Sequence, residues 1–255
     1  MMALTPISLG LVAATIVVSS FVSGIFGLAG GMILLGVLLV FFDVSTGMVL
    51  FSLIQLVANG WRAILWRRFV IWRIFWMYAF GAAAAFLVMR WLAIVPGKAL
   101  VYLSLGAMPF LIELLPKNAR PNIEHRGVPF LTGLTTTVVQ MIAGVGGLFL
   151  DLFFQKSSLD RKTTVGTKAV TQSFAHILRL LYFGSFADQL GEIPLWSIIP
   201  AAMLAIGGTS LAPYVLERMT DDGFRRYTRW IILTLSLIYI LRGVALLPGV
   251  NALIG

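Results

Sequence analysis

The chain has 255 residues, of which 59% are hydrophobic and only 11% charged, against about half and about a quarter in soluble domains. So large an apolar excess cannot be hidden in one water-soluble core, which excludes a soluble enzyme and a nucleic-acid-binding module and turns the formal charge of +9 into a report on membrane topology. The lack of cysteine rules out disulfides, thiolate metal sites and a cysteine nucleophile, two histidines are too few for a histidine-rich metal site, and no metal or other cofactor is expected.

Crossing ~30 Å of hydrocarbon takes about 20 helical residues. The first apolar segment, Pro6–Phe26, has that length. Met1–Leu4 carries no basic side chain, so no cleavable signal peptide is expected. The second, Gly31–Phe42, is too short to cross alone and follows the glycine cluster Gly27-Leu28-Ala29-Gly30-Gly31. Thr46–Trp66, Val70–Met89 and Lys98–Leu115 come next. After a polar stretch, Val128–Val145 is long, and Gly147–Phe154 is short and follows Gly144-Val145-Gly146-Gly147. Thr164–Phe183, Leu195–Leu216 and Tyr227–Leu247 complete the series.

The order long, short, long, long, long therefore occurs twice. Ala29-Gly30-Gly31-Met32 aligns with Val145-Gly146-Gly147-Leu148 at an offset of 116, and Gln55, Asn59 and Arg62 align with Gln172, His176 and Arg179 at 117. Leu103-Ser104-Leu105 and Leu235-Ser236-Leu237 align at 132, the drift arising from longer loops at 184–194 and 217–228. Polar residues that match inside apolar runs point to a duplication. The repeats are placed at 5–116 and 128–248, with 117–127 as a cytoplasmic linker.

Thirteen of the nineteen Lys and Arg fall in four connections: Arg67, Arg68 and Arg73; Lys117, Arg120 and Arg126; Lys156, Arg161 and Lys162; Arg218, Arg225, Arg226 and Arg229. The positive-inside rule puts these in the cytoplasm. The loop holding Asp188 and Glu192, and both termini, then lie outside; Arg90 and Lys98 fit this alternation poorly. Each short-segment hairpin returns to its own side, so each half makes three net crossings and the second half enters from the opposite face. The expected fold is an all-α integral membrane protein of two inverted repeats, each three crossing helices plus a glycine-broken helical hairpin, with eight to ten helical segments. Interrupted segments at equivalent places in inverted repeats are a recurrent plan of secondary transporters.

Irregular backbone at membrane depth is tolerated only inside protein or beside a wet cavity. Helices that begin at the glycine breaks carry free N–H groups and a positive dipole end, which suit an anion. Gly27, Gly30, Gly31, Gly144, Gly146 and Gly147 are therefore candidate substrate-binding positions; close helix packing is the alternative role for such glycines. Gln55, Asn59 and Arg62 lie on one helical face, and Gln172, His176 and Arg179 repeat it, with Lys168 one turn earlier. A buried amide must be paired, so Gln55 and Gln172 are expected to face the bundle interior beside Asn59. Lys168 is expected to meet the anion, with snorkelling as the competing role. Arg62 and Arg179 either gate the site or snorkel to the headgroups. His176 either titrates and couples transport to protons or stays neutral and hydrogen-bonded. Asp151 is an intramembrane carboxylate, with a coupling role or a pairing with Lys156 or Lys168. Glu113 and Arg242 are expected to pair structurally.

The glycine-rich stretches Gly24-Ile25-Phe26-Gly27-Leu28-Ala29-Gly30-Gly31 and Gly144-Val145-Gly146-Gly147, the two similar halves and the length make the chain resemble the sulfite exporter TauE/SafE family from about Pro6 to Pro248. Met32-Ile33-Leu34 stands where that pattern often has a proline-containing continuation. The resemblance implies a multi-pass protein of the bacterial inner, cytoplasmic membrane that moves sulfite, sulfonates or another small organic anion. Its expected partners are that anion and the lipid bilayer, with no nucleic acid and with a homodimer left open. Alternating access is the expected mechanism, and a small-anion channel is the rival. Enzymatic activity is not expected: Ser173 and His176 are three residues apart on a helix, but no G-x-S-x-G motif or oxyanion site accompanies them.

Overall fold

The computed structural model describes residues 6–26, 29–116, 120–187, 195–216, 218 and 221–247. Among these, ten α-helices follow the apolar segments: α1 (Pro6–Phe26), α2 (Ala29–Phe41), α3 (Val44–Leu65), α4 (Trp72–Leu92), α5 (Lys98–Leu114), α6 (Val128–Ala143), α7 (Gly147–Phe154), α8 (Arg161–Gly184), α9 (Ile198–Leu216) and α10 (Asp221–Ala245). α1, α3, α4 and α9 are long and apolar enough to cross a membrane. On α4, Trp76, Phe80, Leu87 and Trp91 share one helical face and are all more than half exposed. A stripe of that size on a water-soluble monomer would be a liability; in a bilayer it is the lipid-facing side.

Helix starts lie earlier than hydropathy suggests where a carboxylate caps them. Asp43 accepts from Thr46 N (3.0 Å) and starts α3 at Val44. Asp160 accepts from Lys162 N (2.9 Å) and Thr163 N (3.1 Å), so α8 begins at Arg161. These are N-caps that satisfy orphan amides of the first turn, and the Thr163 and Lys162 hydrogen bonds hold the Asp160 carboxyl below its ordinary range.

The main helix pairs are α3 with α8, α5 with α10, α4 with α6, and α1 with α9; lesser ones are α3 with α9, α4 with α8, α1 with α2, and α6 with α7. Exchanging every helix with the one five places along returns these pairs, while the contact of α5 with α6 has no counterpart of similar extent. Two of these crossings rest on matched glycines. A Cβ on Gly81 of α4 would overlap the Phe130 carbonyl of α6, and one on Gly208 of α9 would lie 2.5 Å from the Val17 carbonyl of α1. Small residues let helix backbones touch where no hydrophobic gain separates protein from lipid.

Three basic connections gather at one end of the bundle. Arg73 Nη2 donates to the Glu124 carbonyl (3.3 Å), Asn122 Nδ2 to the Lys156 carbonyl (3.1 Å), and Lys162 Nζ lies 5.6 Å from the Phe69 ring centre. Arg120 bonds the Gln155 side chain, and Ser158 N donates to the Glu124 carboxylate (2.6 Å). The hairpin α6–α7 therefore returns to the end it left. The connection after α4 instead meets the C-terminal end of α8, through Tyr182 Oη donating to the Ile94 carbonyl (2.6 Å) and Arg90 over Phe186 (5.3 Å).

The expected pair of Glu113 and Arg242 does not form. Arg242 sits beside Lys98 and Tyr102 at the start of α5, whereas Glu113 is exposed at the end of the same helix, so about 16 Å of rise separates Tyr102 from Glu113.

Candidate functional site

The helices that follow the two glycine clusters, α2 and α7, both reach one cavity with their first turns. α6 stops at Gly144, which adopts a left-handed conformation (φ 80°) and returns its N–H to the Gln140 carbonyl (2.9 Å). That is a common way to end a helix at glycine. α7 restarts at Gly147, and its first-turn amides have no intrahelical acceptor. Gly31 from the first turn of α2 and Gly146 and Gly147 from the start of α7 all line the cavity. Gly146 has no room for a side chain, a Cβ there lying 2.9 Å from the Thr136 carbonyl, whereas one on Gly31 would meet the movable end of Gln55, 2.9 Å from Nε2.

The polar stripes complete the wall. Gln55 and Asn59 of α3 and Gln172 and His176 of α8 line the same space, joined by Phe51, Tyr78, Thr136, Gln140, Val145, Leu150 and Ala175. Asn59 Nδ2 donates to the Gln55 carbonyl (2.9 Å), which turns its amide along its own helix. Gln140 Nε2 donates to the Ala175 carbonyl (2.8 Å) and ties α6 to α8. The cavity measures about 20 Å³, on a scale where one water takes roughly 10–15 Å³. It suits a compact group of a few atoms.

Arg179 is fully buried and does not reach the headgroups. Its Nε donates to Ser52 Oγ (2.8 Å), its Nη1 to the Gly144 carbonyl, and its Nη2 to His176 Nδ1 (2.8 Å), while the guanidinium lies 4.3 Å from the Phe51 ring centre. Among the described residues no carboxylate pairs with it. A buried cation held only by neutral groups and a ring keeps an uncompensated positive potential, and this one lies immediately behind His176 on the cavity wall.

The other sequence candidates are placed differently. Lys168 is off the cavity wall and paired with Asp151, the alternative partner considered for that carboxylate, and both side chains are partly exposed. Arg62 donates from Nη2 to the Ser23 carbonyl (3.3 Å) in the last turn of α1, and its Nε has no partner. Gly30 packs rather than lines: a Cβ there would overlap the Ser19 carbonyl of α1. Gly27 lies outside the described residues. Gly144 contributes its carbonyl to Arg179 and is not on the wall. Tyr78, Thr136 and Gln140 are lining residues absent from the sequence candidates. Gln140 carries the same signal as Gln55, an amide inside an apolar run, but Gly24 at its matched position hides it from a repeat comparison. Tyr78 gives no sequence signal at all. Among the described residues no cluster of His, Asp or Glu could hold a metal.

A family model described as sulfite exporter TauE/SafE matches residues 11–239. No curated protein and no solved structure matches the chain. The chain belongs to the TauE/SafE sulfite exporter family and is a multi-pass membrane protein of that transporter family.

Proposed function

We propose that the chain exports sulfite across the cytoplasmic membrane by alternating access, holding the anion in the cavity between the two glycine breaks. The observation that carries this reading is the convergence on one small cavity of two helix N-termini and the amides Gln55 and Gln172. Free first-turn amides and side-chain amides bind oxyanion oxygens without requiring a counter-charge. The cavity size favours a compact inorganic anion over a sulfonate with an organic tail. No proton has to be coupled, because an interior-negative potential drives an anion outward by about 2.3 kcal/mol per charge per 100 mV.

In this mechanism the halves 5–116 and 128–248 are inverted about an axis in the membrane plane and rock against each other. The helix pairing that survives the five-helix exchange supports two similar halves, and the antiparallel run of α3 against α8, whose first-turn Lys162 lies by Phe69 just past the end of α3, supports their inversion. The end that gathers Arg73, Arg120, Lys156 and Lys162 faces the cytoplasm, and both termini lie outside.

Radiolabelled sulfite flux into proteoliposomes under imposed potentials of either sign tests the reading, with taurine, sulfoacetate, sulfate and thiosulfate as unlabelled competitors. Saturable, potential-dependent flux is expected, with thiosulfate and sulfate competing better than taurine. A double variant Gln55→Ala, Gln172→Ala, expressed normally, should lose flux by at least about tenfold, two amide hydrogen bonds to a charged ligand being worth that or more. Non-saturable flux would make the protein a channel. Unchanged flux in the double variant would remove the site.

A further inference from the structure

His176 is the one side chain of the cavity wall with a ring nitrogen aimed at a fixed cation. Its Nδ1 lies 2.8 Å from Arg179 Nη2. A guanidinium offers only donors, so Nδ1 must be the acceptor and cannot carry a proton; the single ring proton is then on Nε2. Forming an imidazolium would place a second proton on Nδ1, directly against an N–H of a buried positive charge. Arg179 cannot easily turn aside, because Ser52 Oγ, the Gly144 carbonyl and the Phe51 ring hold its remaining faces.

Nothing else around the ring invites a second proton. Phe51 of α3 meets it edge-on, with ring centres 5.8 Å apart. Tyr78 of α4, Gln140 of α6 and Leu150 of α7 share the cavity wall with it. Tyr78 is the titratable group of that set, and a phenol is uncharged at neutral pH. The carboxylate of Asp151 on α7 is engaged by Lys168, and Arg62 on α3 adds positive charge rather than negative.

We propose that Arg179 holds His176 as the neutral Nε2–H tautomer, making His176 an anion-recognition residue of the cavity and excluding it as a proton carrier. Nε2–H donates to an oxyanion oxygen, and Arg179, one hydrogen bond behind it, is a positioning residue that fixes the tautomer and lends its potential to the site. The recognition role rests on the transport reading above; the tautomer does not.

Nuclear magnetic resonance of protein labelled at histidine with nitrogen-15, in lipid nanodiscs, separates the two. With only two histidines, a His125→Asn background leaves one imidazole. The expected spectrum is the Nε2–H tautomer, unchanged over roughly pH 5 to 8 where a free imidazole titrates. An Nδ1–H form, or an imidazolium appearing in that window, would overturn the tautomer and the recognition role together. Arg179→Gln, whose amide can accept from Nδ1 as well as donate to it, should let an Nδ1–H form appear beside the Nε2–H form; a ring that stays wholly Nε2–H in that variant would show Arg179 is not what holds it.

Sulfite added to the labelled protein should shift the Nε2 resonance. In flux, His176→Gln keeps an N–H donor and should stay within about threefold, whereas His176→Leu should lose at least about tenfold, the factor carried by 1.4 kcal/mol. Equal flux in the wild type and His176→Leu would overturn the recognition role. Absent sulfite flux in the wild type, with the tautomer fixed, would instead overturn the transport reading and, with it, recognition.

Discussion

Arg62 and Arg179 occupy matched positions 117 residues apart and make the same kind of bond, each to a carbonyl at the C-terminal end of the helix that precedes a glycine break. There the likeness ends. Arg179 is fully buried and meets Ser52, His176 and Phe51 as well. Arg62 is half-buried, makes a single long bond of 3.3 Å and has Asn59 where the second half has His176. Holding a helix end is thus the shared use of the two arginines, and shaping the potential at the cavity belongs to the second half alone. The two positions share a helix-holding bond and differ in the charge they bring to the cavity.

The largest expected effect tests that division directly. Arg179→Ala leaves the Gly144 carbonyl and His176 Nδ1 without their donor, at about 1–3 kcal/mol for each buried group. Relief of the cation's own desolvation offsets part of this, so a net loss of about 2–4 kcal/mol is expected. Arg62→Ala should stay within about 1 kcal/mol, because its one bond is long and its side chain is partly solvated. Thermal unfolding of both variants in one detergent reads the difference. Equal losses would mean that the two arginines do the same work.

The neighbouring glycines of the first break divide in the same way between packing and site. A methyl on Gly30 would overlap the backbone of α1, while one on Gly31 would press on the Gln55 amide. Gly30→Ala should therefore lower stability by about 1–3 kcal/mol, as overpacking does. Gly31→Ala should fold nearly normally and lose sulfite flux severalfold. A Gly31→Ala protein that melts early but transports normally would reverse the assignment.

A smaller effect is expected at the Lys168–Asp151 pair, which the first half lacks because Phe51 and Leu35 stand at the matched positions. With the side chains 19% and 28% exposed, solvent screening limits the coupling to about 1 kcal/mol or less. A double-mutant cycle with Asp151→Asn and Lys168→Met measures it. Flux in the double variant should remain within about threefold of the wild type, since neither side chain is on the cavity wall. A larger loss would return Lys168 to the site, where the sequence alone places it.

Much of this architecture is legible in the chain itself, and the reason is physical. Backbone groups in lipid must be satisfied within their own segment, so apolar run length reads directly as helix length, and Gly147–Phe154 is found as written. The amide stripe of Gln55, Asn59, Gln172 and His176 is legible for the same reason: polar groups at depth must face inward. Legibility fails where the outcome depends on which neighbours arrive. Arg179 lies near enough to the end of its segment for snorkelling to be reasonable, and only the approach of Ser52, Gly144 and Phe51 from other helices makes burial tolerable. For Lys168 the sequence leaves open both the anion and a pairing with Asp151, and only the placement of α7 against α8 selects the pair. Tyr78 enters the cavity through helix packing at Gly81 and Gly133, which no periodicity encodes.

The exits of the two hairpins differ too, and the smallest prediction lies there. α2 passes into α3 through two residues, with Asp43 as cap, whereas α7 passes into α8 through 155–160 and is tied back to the linker by Glu124. Ser158 donates both its N–H (2.6 Å) and its hydroxyl (2.9 Å) to that carboxylate, which holds the Glu124 carboxyl below its ordinary range. A lowered carboxyl favours the tethered state above the free value of 4.5 and stops doing so as pH falls through the shifted value. Acidification through that window should therefore loosen the tether at the second hairpin's exit. Hydrogen exchange of the Ser158 amide should rise as pH falls below 4.5, beyond the change in intrinsic rate, and Glu124→Gln should remove that rise. Persistence of the rise in Glu124→Gln would show that the acid sensitivity is not a property of this tether.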